Sequence, residues 1–408
     1  MARPVAPAHP AVFAALLLPF GAAGGYVGVA MGYVLVKAGL PVAEIAALIG
    51  IDYLPSALKF LWAPIIDTRL TRKRWYLLGG IGVALGIAAL GLIPHPEHAM
   101  PLVYLAVIVI SLSKTLVGMT TGALMAYDTP LDQKGRASAW SQAGNLGGGG
   151  LGGGAGLWFA QHLPDPALAG VVVGALTLLC CAALWLVREP PPLPRGRHLG
   201  LDLVHVARDV WGIVTARSSA LGMLICILPL STGSASNLFV AIAGDWHASA
   251  DTVALVNGFA SAVLTAVGCF IGGWATDRIH RQRAYALFGV MLVAVTVGMA
   301  LTGRTELLYV AWVCSYNLVV GFCYSGWSAV TLEAIGTGAA ATKYEIFASL
   351  SNIPIGLMTV LDGALQSRWG TPAMLLGDAA LGLVAVGIYF GVAARVNRRP
   401  QSEYPVTT

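Results

Sequence analysis

Four ionisable side chains lie deep inside long apolar runs of the sequence: Asp52, Lys59, Lys114 and Asp378. A charge at such a depth is costly, and it usually faces a cavity, a partner charge or a ligand. A lone lysine there needs a carboxylate, a carbonyl or an anionic ligand beside it. A carboxyl group in an apolar site can hold a proton and release it. The chemistry indicated is therefore the binding of an anion and the carriage of a proton.

Lys114 is the most informative of these residues, because it lies near the middle of its apolar run. We predict that it binds a carboxylate or phosphate group of a substrate, and Asp52 is the alternative partner. The equivalent position in the second half of the chain is Asn317, aligned through LVG (116–118) and VVG (319–321). A lysine opposite an asparagine favours a substrate with one charged end and one polar end.

Two carboxyl groups are candidates for carrying a coupling proton. Asp52 is the first candidate, and Asp362, near the outer end of its apolar run, is the second. Asp52 also precedes Lys59 by about two helical turns, so these two side chains could instead form a structural pair on one helix face. A carrier without ion coupling would need neither carboxylate.

Polar and aromatic residues within the apolar runs complete the predicted substrate site. Asn145 and Asn352 recur in matching contexts, RASAWSQAGNL (136–146) and KYEIFASLSNI (343–353). A hydrogen bond between helices explains that match equally well, and single Tyr or Trp residues in membrane helices are commonly anchors or packing residues. Besides Lys114 and Asn317, the predicted substrate-binding residues are Tyr26, Tyr33, Gln142, Asn145, Asn237, Trp327 and Asn352.

The elements that position these side chains follow from composition. Of the 408 residues, 57% are hydrophobic and 11% are charged, whereas soluble globular proteins carry about 25% charged residues. So few charges cannot cover a water-facing surface, and the sequence predicts an all-α membrane protein. A helix needs about 20 residues to cross the hydrocarbon core. Twelve apolar runs approach or exceed that length: residues 11–36, 43–65, 76–93, 102–126, 136–160, 167–187, 218–243, 251–275, 284–302, 306–332, 344–364 and 371–394.

Basic residues give the orientation of these spans. Most of the 24 lysines and arginines fall in the terminal segments and in the loops that follow even-numbered runs. The positive-inside rule then predicts that both termini are cytoplasmic in a multi-pass protein of the inner (plasma) membrane. The first run lacks the flanks of a cleaved signal, so we expect a retained helix. The net charge of +5 is a topology signal and indicates no nucleic-acid partner.

Residues 188–217 break the apolar pattern with prolines, charges and a short amphipathic stretch, as expected of a cytoplasmic linker. We predict that it joins two six-helix bundles, residues 1–187 and 218–408. The bundles repeat one another in parallel, since Pro19 in the first helix has a counterpart in Pro229, 210 positions later.

Each half also carries a basic loop after its second helix, APIIDTRLTRKR (63–74) and GGWATDRIHRQR (272–283), with Asp67 and Asp277 in equivalent positions. Twelve spans, a long central loop and these paired motifs resemble the major facilitator superfamily. The resemblance implies alternating access gated by charged contacts at these loops; retention of basic loops on the cytoplasmic side is the alternative explanation. The gating residues it implies are Asp67, Arg69, Arg72, Arg74, Asp277, Arg278 and Arg281.

Within that superfamily, YLPSALKFLWAPIID (53–67) resembles the branch that contains muropeptide permeases and acetyl-coenzyme A transporters. The fourth helix departs from that branch, because SLSKTLVGMTTGALMAYDTPL contains Lys114 and no acidic residue before Asp128. Siderophores and other anionic metabolites therefore stay open as substrates beside muropeptides.

The fifth helix contains GNLGGGGLGGGAG (144–156), which by composition alone resembles a flexible linker. In hydrocarbon the backbone must satisfy its own hydrogen bonds, so we predict a helix with a smooth face for close packing. The resemblance implies packing against the eighth helix, where Ser261 and Gly268 are suitable partners, and we predict a sliding surface between the halves. The glycines at every fourth position are Gly144, Gly148, Gly152 and Gly156.

These features predict a secondary active transporter, a symporter if proton-coupled, that moves a small organic, anionic metabolite by rocker-switch alternating access. Its predicted partners are the small-molecule substrate, the candidate coupling proton and the lipid bilayer, and we expect a monomer. Histidines lie at loops or helix ends and cysteines lack metal-site spacing, so we predict no metal and no cofactor. The alternatives are an efflux carrier of the same fold, a transporter-derived receptor and a membrane-embedded acyl- or lipid-transferring enzyme, which no catalytic motif supports.

Overall fold

The computed structural model describes residues 8–68, 70–130, 133–189, 208, 220–228, 231–335 and 346–398. These ranges are helical apart from turns and short connections, and they contain no strand. Eight helices within them are long and apolar enough to cross a membrane. The predicted all-α membrane protein is confirmed at this level.

The first six helices lie within a few residues of the predicted spans. Local signals set their ends: the Thr71 side chain accepts a hydrogen bond from the backbone N–H of Arg74 and so caps the third helix. Proline lies in the first turn of the fourth helix, where its missing N–H costs nothing. The helices are α1 (Val12–Lys37), α2 (Val42–Thr68), α3 (Arg72–Gly91), α4 (Met100–Asp128), α5 (134–162) and α6 (Leu168–Leu186).

The C-terminal part is less regular at its two ends. The last two spans run on from one another, with the break between them at Gly370, whose φ is 82° and ψ is 174°. Glycine adopts that backbone conformation without the steric cost that other residues would meet. The helices are α8 (Ala250–Thr276), α9 (Arg281–Leu301), α10 (Glu306–Ile335), α11 (352–369) and α12 (371–398).

The apolar run 218–243 does not form one helix, so the expectation of a continuous span there is wrong. We label as α7 its helix Ala220–Ile227 together with the short helical segments between residues 234 and 246. Between them Ser231 and Gly233 have positive φ angles of 57° and 68°, which interrupt a right-handed helix. The interruption leaves polar side chains of the second part pointing into the C-terminal helices.

Helix packing separates the chain into two sets. In the first, α1 packs on α4 and α5, α3 packs on α4 and α6, and α2 packs on α4. In the second, α10 packs on α8 and α9, while α12 packs on α9. The two sets meet where α2 packs on α11 and where α5 packs on α8.

The glycine stripe of α5 packs against α1, within the same set of helices. A Cβ added to Gly144, Gly148 or Gly152 would overlap backbone atoms of α1. A Cβ on Gly156 would lie 2.9 Å from the Tyr26 ring. Only glycine permits this approach, so the stripe is a close-packed face, as small-residue motifs are in membrane helices.

The prediction that this stripe faces α8 is therefore wrong. Gly268 backs onto α10, and the Ser261 hydroxyl donates a hydrogen bond to the Asn257 carbonyl within its own helix. The face that meets α8 carries Gly150 and Gly154, and a Cβ on Gly154 would lie 3.0 Å from the Cα of Gly258. Two residues along a helix turn through about 200°, so Gly150 and Gly154 lie opposite the stripe. Because α5 has glycine on both faces, spacing alone could not assign the partners.

Three π-helical segments occur where α1, α5 and α8 come together: Tyr26–Met31, Leu151–Ala155 and Leu255–Ala260. The segment in α5 contacts both of the others. Isolated π segments are often found at functional sites, because they insert a residue into a helix without ending it. Here they lie at the level where the two sets of helices touch.

Candidate functional site

Lys114 and Asp52 form a buried ion pair between α4 and α2. Each side chain is 6% exposed. The Lys114 ammonium also lies 5.8 Å from the centre of the Phe20 ring on α1. The hydroxyl of Ser111, one turn before Lys114, donates a hydrogen bond to the Asp52 backbone carbonyl and ties α4 to α2 beside the pair. Of the alternatives open for Lys114, the structure forms the one with Asp52.

The second oxygen of the pair's carboxylate is not engaged. Asp52 Oδ1 is buried and has no hydrogen-bond partner among the described residues. A buried pair of this kind is stable only while both charges remain together. An anion that reached Lys114 would therefore compete directly with the Asp52 carboxylate.

A second group of buried polar side chains lies in the C-terminal helices. Asp362 on α11 has no exposed surface and Asp378 on α12 is 8% exposed. The Ser234 hydroxyl donates a 2.9 Å hydrogen bond to Asp378 Oδ1, and Ser234 is a neighbour of Asp362 as well. The interrupted α7 places Ser234 here, since a regular helix through residue 233 would direct the chain elsewhere.

Asn237 joins this region to the other set of helices. Its amide nitrogen donates a 2.8 Å hydrogen bond to Thr359 Oγ1 on α11, and its amide oxygen accepts one of 3.4 Å from the Tyr53 hydroxyl on α2. Asn237 was predicted from sequence, whereas Tyr53 and Thr359 were not. Tyr53 directly follows Asp52 in the chain, and this position next to a predicted site residue was the only feature of the sequence that could have pointed to it.

The other predicted substrate-binding residues are dispersed. Tyr26 is buried, with its hydroxyl against Gly91 and Gly170, which is a packing position between helices. Tyr33 lies at the end of α1, 5.8 Å from the Lys37 ammonium, and Trp327 packs in a small apolar cluster that includes Cys226 and Phe347.

Three predicted amides bond within their own helices. Asn145 donates to Gln142 Oε1 at 3.5 Å, Asn317 donates to the Val313 carbonyl at 2.9 Å, and Asn352 donates to the Ala348 carbonyl at 2.7 Å. The structure thus brings Lys114 together with Asp52. Among the described contacts, none of these three amides forms a hydrogen bond with either residue of that pair.

The predicted gating residues are only partly described. Arg69 and the side chain of Asp67 lie outside the described part of the chain. Asp277, Arg278 and Arg281 are exposed, and the Arg278 guanidinium stacks 4.0 Å from the centre of the Trp274 ring. Arg72 and Arg74 begin α3, with Arg74 exposed. Their gating role stays a prediction.

Asp128 was not among the predicted site residues, but its contacts hold together one end of the first helix set. Its side chain is fully buried and pairs with Arg188. It also accepts hydrogen bonds of 3.2 Å from the backbone N–H groups of Ala8 and Arg188.

The described ranges contain no cluster of three His, Cys, Asp or Glu side chains able to hold a metal ion.

Comparison with known proteins gives a consistent result. The model of the Major Facilitator Superfamily matches residues 11–359. Anhydromuropeptide permease of Escherichia coli (strain K12) is 28% identical over 309 residues, covering 72% of this chain. The match covers 62% of the permease, so it spans less than two thirds of that relative's length.

Two solved structures show the same fold. One is a bacterial homologue of the human lysosomal transporter Spinster, in an inward-facing and unoccupied conformation, with a TM-score of 0.72 and 17% identity over 95% of this chain and 96% of that one. The other is a D-xylose–proton symporter, with a TM-score of 0.72 and 13% identity over 93% of this chain and 96% of that one.

Proposed function

Because the chain belongs to the major facilitator superfamily, we propose that it is a secondary transporter of a small organic anion that works by rocker-switch alternating access. The proposal includes twelve spans in two six-helix bundles, residues 1–187 and 218–408, joined by the linker 188–217. It places the protein in the inner membrane with both termini in the cytoplasm. The observation that carries the substrate class is the buried pair of Lys114 and Asp52.

The pair suits reversible anion binding because its two charges neutralise each other when no substrate is bound. A substrate carboxylate or phosphate can take the place of Asp52 on Lys114, so the lysine never stands alone in the membrane. The displaced Asp52 would then be a buried carboxylate without its cation, and binding a proton would relieve that cost. Anion binding and proton binding are coupled in this scheme, with Asp52 as the first coupling residue and Asp362 as the second.

The contacts between the bundles support a state closed on the outer side. Most of them involve the first halves of α2 and α8, the second half of α5 and residues 356–363 of α11. Phe60, in the second half of α2, also packs against the cluster of Cys226 and Phe347. In the proposed topology the first halves of α2 and α8 and the second half of α5 lie toward the outer side of the membrane. The Lys114–Asp52 pair would then be reached from the cytoplasm, as the rocker-switch scheme requires of one of its two states.

The substrate class includes peptidoglycan fragments, siderophores and other carboxylate or phosphate metabolites. The name of the Escherichia coli relative, an anhydromuropeptide permease, makes muropeptides the first group to test. Muropeptides carry free carboxylates on their peptide part, which fits a lysine in the site. Polar side chains such as Asn237 would contact the uncharged end.

The test is uptake into proteoliposomes over a panel of these anions and of neutral sugars. Lys114→Ala alone would leave Asp52 unpaired, so the informative variant is the double substitution Lys114→Met with Asp52→Leu. We expect wild type to take up one class of anion and the double variant to fold but not to transport it. Arg368→Ala, at an exposed position, is the matched control. Normal anion uptake by the folded double variant would show that the site assignment is wrong.

A further inference from the structure

Asp362 is buried without a partner. It has no exposed surface, and neither carboxylate oxygen has a hydrogen-bond partner among the described residues. Buried polar groups nearly always have such partners, and a bare carboxylate in an apolar interior is costly. The transport proposal names Asp362 as its second coupling residue and gives Asp378 no role.

Two hydroxyl groups, those of Ser234 and Tyr316, lie near Asp362. The Ser234 hydroxyl has one proton, which it donates to Asp378 Oδ1, and its oxygen accepts a 3.1 Å hydrogen bond from Thr232. Tyr316 on α10 is fully buried, its hydroxyl also has no hydrogen-bond partner among the described residues, and it is an electrostatic neighbour of both carboxyl groups. Among the described residues, the two buried carboxyl groups therefore have only the hydroxyl protons of Ser234 and Tyr316 beside them, and neither hydroxyl carries a positive charge to balance them.

One added proton would balance this cluster. Two carboxylates buried together repel each other, and a proton on Asp362 removes one charge and adds an O–H donor between the two groups. An oxygen of Asp378, Ser234 or Tyr316 can accept the hydrogen bond from this new O–H group. Cys323 is an electrostatic neighbour of Tyr316, but within the described ranges no group of three His, Cys, Asp or Glu side chains is placed to hold a metal ion.

We propose that Asp362 and Asp378, with Ser234 and Tyr316, bind one proton, and that this proton favours the packing of α11 against α2. The role in coupling rests on the proposed transport function. The proton site itself does not, because it can be measured on the protein without substrate.

The link to α2 is short. Gly363, next to Asp362, packs against Ala46 of α2, and Gly356, nearly two turns earlier, packs against Tyr53. Loss of the proton would leave two buried carboxylates directly behind this contact and draw water toward it. Protonation thereby favours closure of the outer side, and release favours its opening.

The groups that face Asp362 come from several helices. Asp378 belongs to α12 and Tyr316 to α10, while Ser234 and Thr232 of α7 are uncharged. Tyr53 of α2 reaches the cluster through Asn237 and Thr359. In this set only the two carboxyl groups ordinarily carry a charge at neutral pH, because serine, threonine, asparagine and tyrosine side chains are neutral there.

The experiment uses the full chain in lipid nanodiscs without substrate. Infrared spectra across a pH series are expected to show the C=O band of a protonated carboxylic acid that persists at neutral pH. The band should vanish in Asp362→Asn and shift to a different pH range in Asp378→Asn. Tyr316→Phe should change the band's frequency, since the hydroxyl next to the acid is lost. Asp251→Asn, at an exposed position, should leave the band unchanged.

Deuterium exchange at one fixed pH, above the range in which the band disappears, tests the link to packing. We expect peptides covering residues 42–53 and 356–363 to exchange severalfold more slowly in Asp362→Asn than in wild type, with peptides of α3 and α4 unchanged. A carboxylic acid band that survives both Asp362→Asn and Asp378→Asn would overturn the proton site. Equal exchange in wild type and Asp362→Asn would overturn the link to α2. Anion uptake can fail or succeed independently of either result.

Discussion

The Lys114 ammonium on α4 and the Asp52 carboxylate on α2 form an ion pair in which each side chain is 6% exposed. The pair joins two helices of the first set. In the proposed function, its lysine also supplies the positive charge that would bind a substrate anion. Its role in stability can be separated from its proposed role in substrate binding. Replacing both residues by neutral side chains of similar size should keep the packing and remove the charge that binds the anion.

Breaking one side of this pair should destabilise the protein strongly. For Lys114→Ala or Asp52→Ala we expect the free energy of unfolding to fall by about 3–5 kcal/mol, since the remaining charge is buried without its partner. The double variant Lys114→Met with Asp52→Leu should recover most of that loss. Chemical unfolding of the purified protein in detergent measures all three. A double variant as unstable as the singles would mean that the two charges do not act as a pair.

The contact between α5 and α1 should not tolerate a single methyl group. Gly152→Ala places a Cβ against the Ala22 carbonyl, and overpacking of this kind costs about 1–3 kcal/mol. The matched control is Gly147→Ala on the same helix, where a Cβ meets nothing within 4 Å. Removing a glycine there should leave the thermal midpoint equal or higher. The packing assignment fails if the two variants have the same midpoint.

The crossing of α5 and α8 should affect transport more than stability. A Cβ on Gly258 would overlap the Cα of Gly154 on α5, so in the proposed mechanism Gly258→Ala should hinder closure of the outer side and slow uptake severalfold. Gly273→Ala is the control, because nothing lies within 4 Å of a Cβ at that position of α8. Uptake and the thermal midpoint are measured together. A large loss of stability without a change in uptake per folded molecule would contradict this role.

The buried Asp128 should hold the segments on either side of the first helix set. Its hydrogen bonds reach Ala8 and Arg188, and bonds to a charged group contribute about 1.5–3 kcal/mol each. In Asp128→Asn we expect faster deuterium exchange at residues 8–12 and 187–189, with α9 unchanged as an internal reference. Protection that is the same in the variant and in wild type would show that these bonds contribute little.

The sequence predicted an all-helical chain with long apolar helices, because hydropathy and length decide these features, and eight helices of the described residues are long and apolar enough to cross a membrane. The exception is the run 218–243, where Ser231 and Gly233 have positive φ angles. No hydropathy pattern reports a local backbone reversal inside an apolar stretch. The reversal matters for the site, since it places Ser234 and Asn237 against α11 and α12.

The sequence showed which residue types would form the site, but it did not show which of these residues would contact one another. Asp52, Lys114, Asp362 and Asp378 stand out because buried charge is rare in membrane spans. Which charges meet depends on helix rotation and tilt, and these are set by packing between helices distant in the chain. Asp362 and Asp378 are neighbours through the sharp turn at Gly370. The turn falls at the predicted boundary between the runs 344–364 and 371–394, but the sequence did not show that these two side chains meet across it.

Where Gly154 of α5 meets Gly258 of α8, the two sets of helices touch at a point that has no side chains. Side chains interlocked across a moving contact must change rotamer at every step, and each change adds friction to the motion. A surface of backbone alone has no rotamers to exchange, so the crossing angle can vary while the contact is kept. Alanine substitutions would place methyl groups on this surface. These groups would interlock across the contact and slow the transport cycle, even where each set of helices kept its own fold.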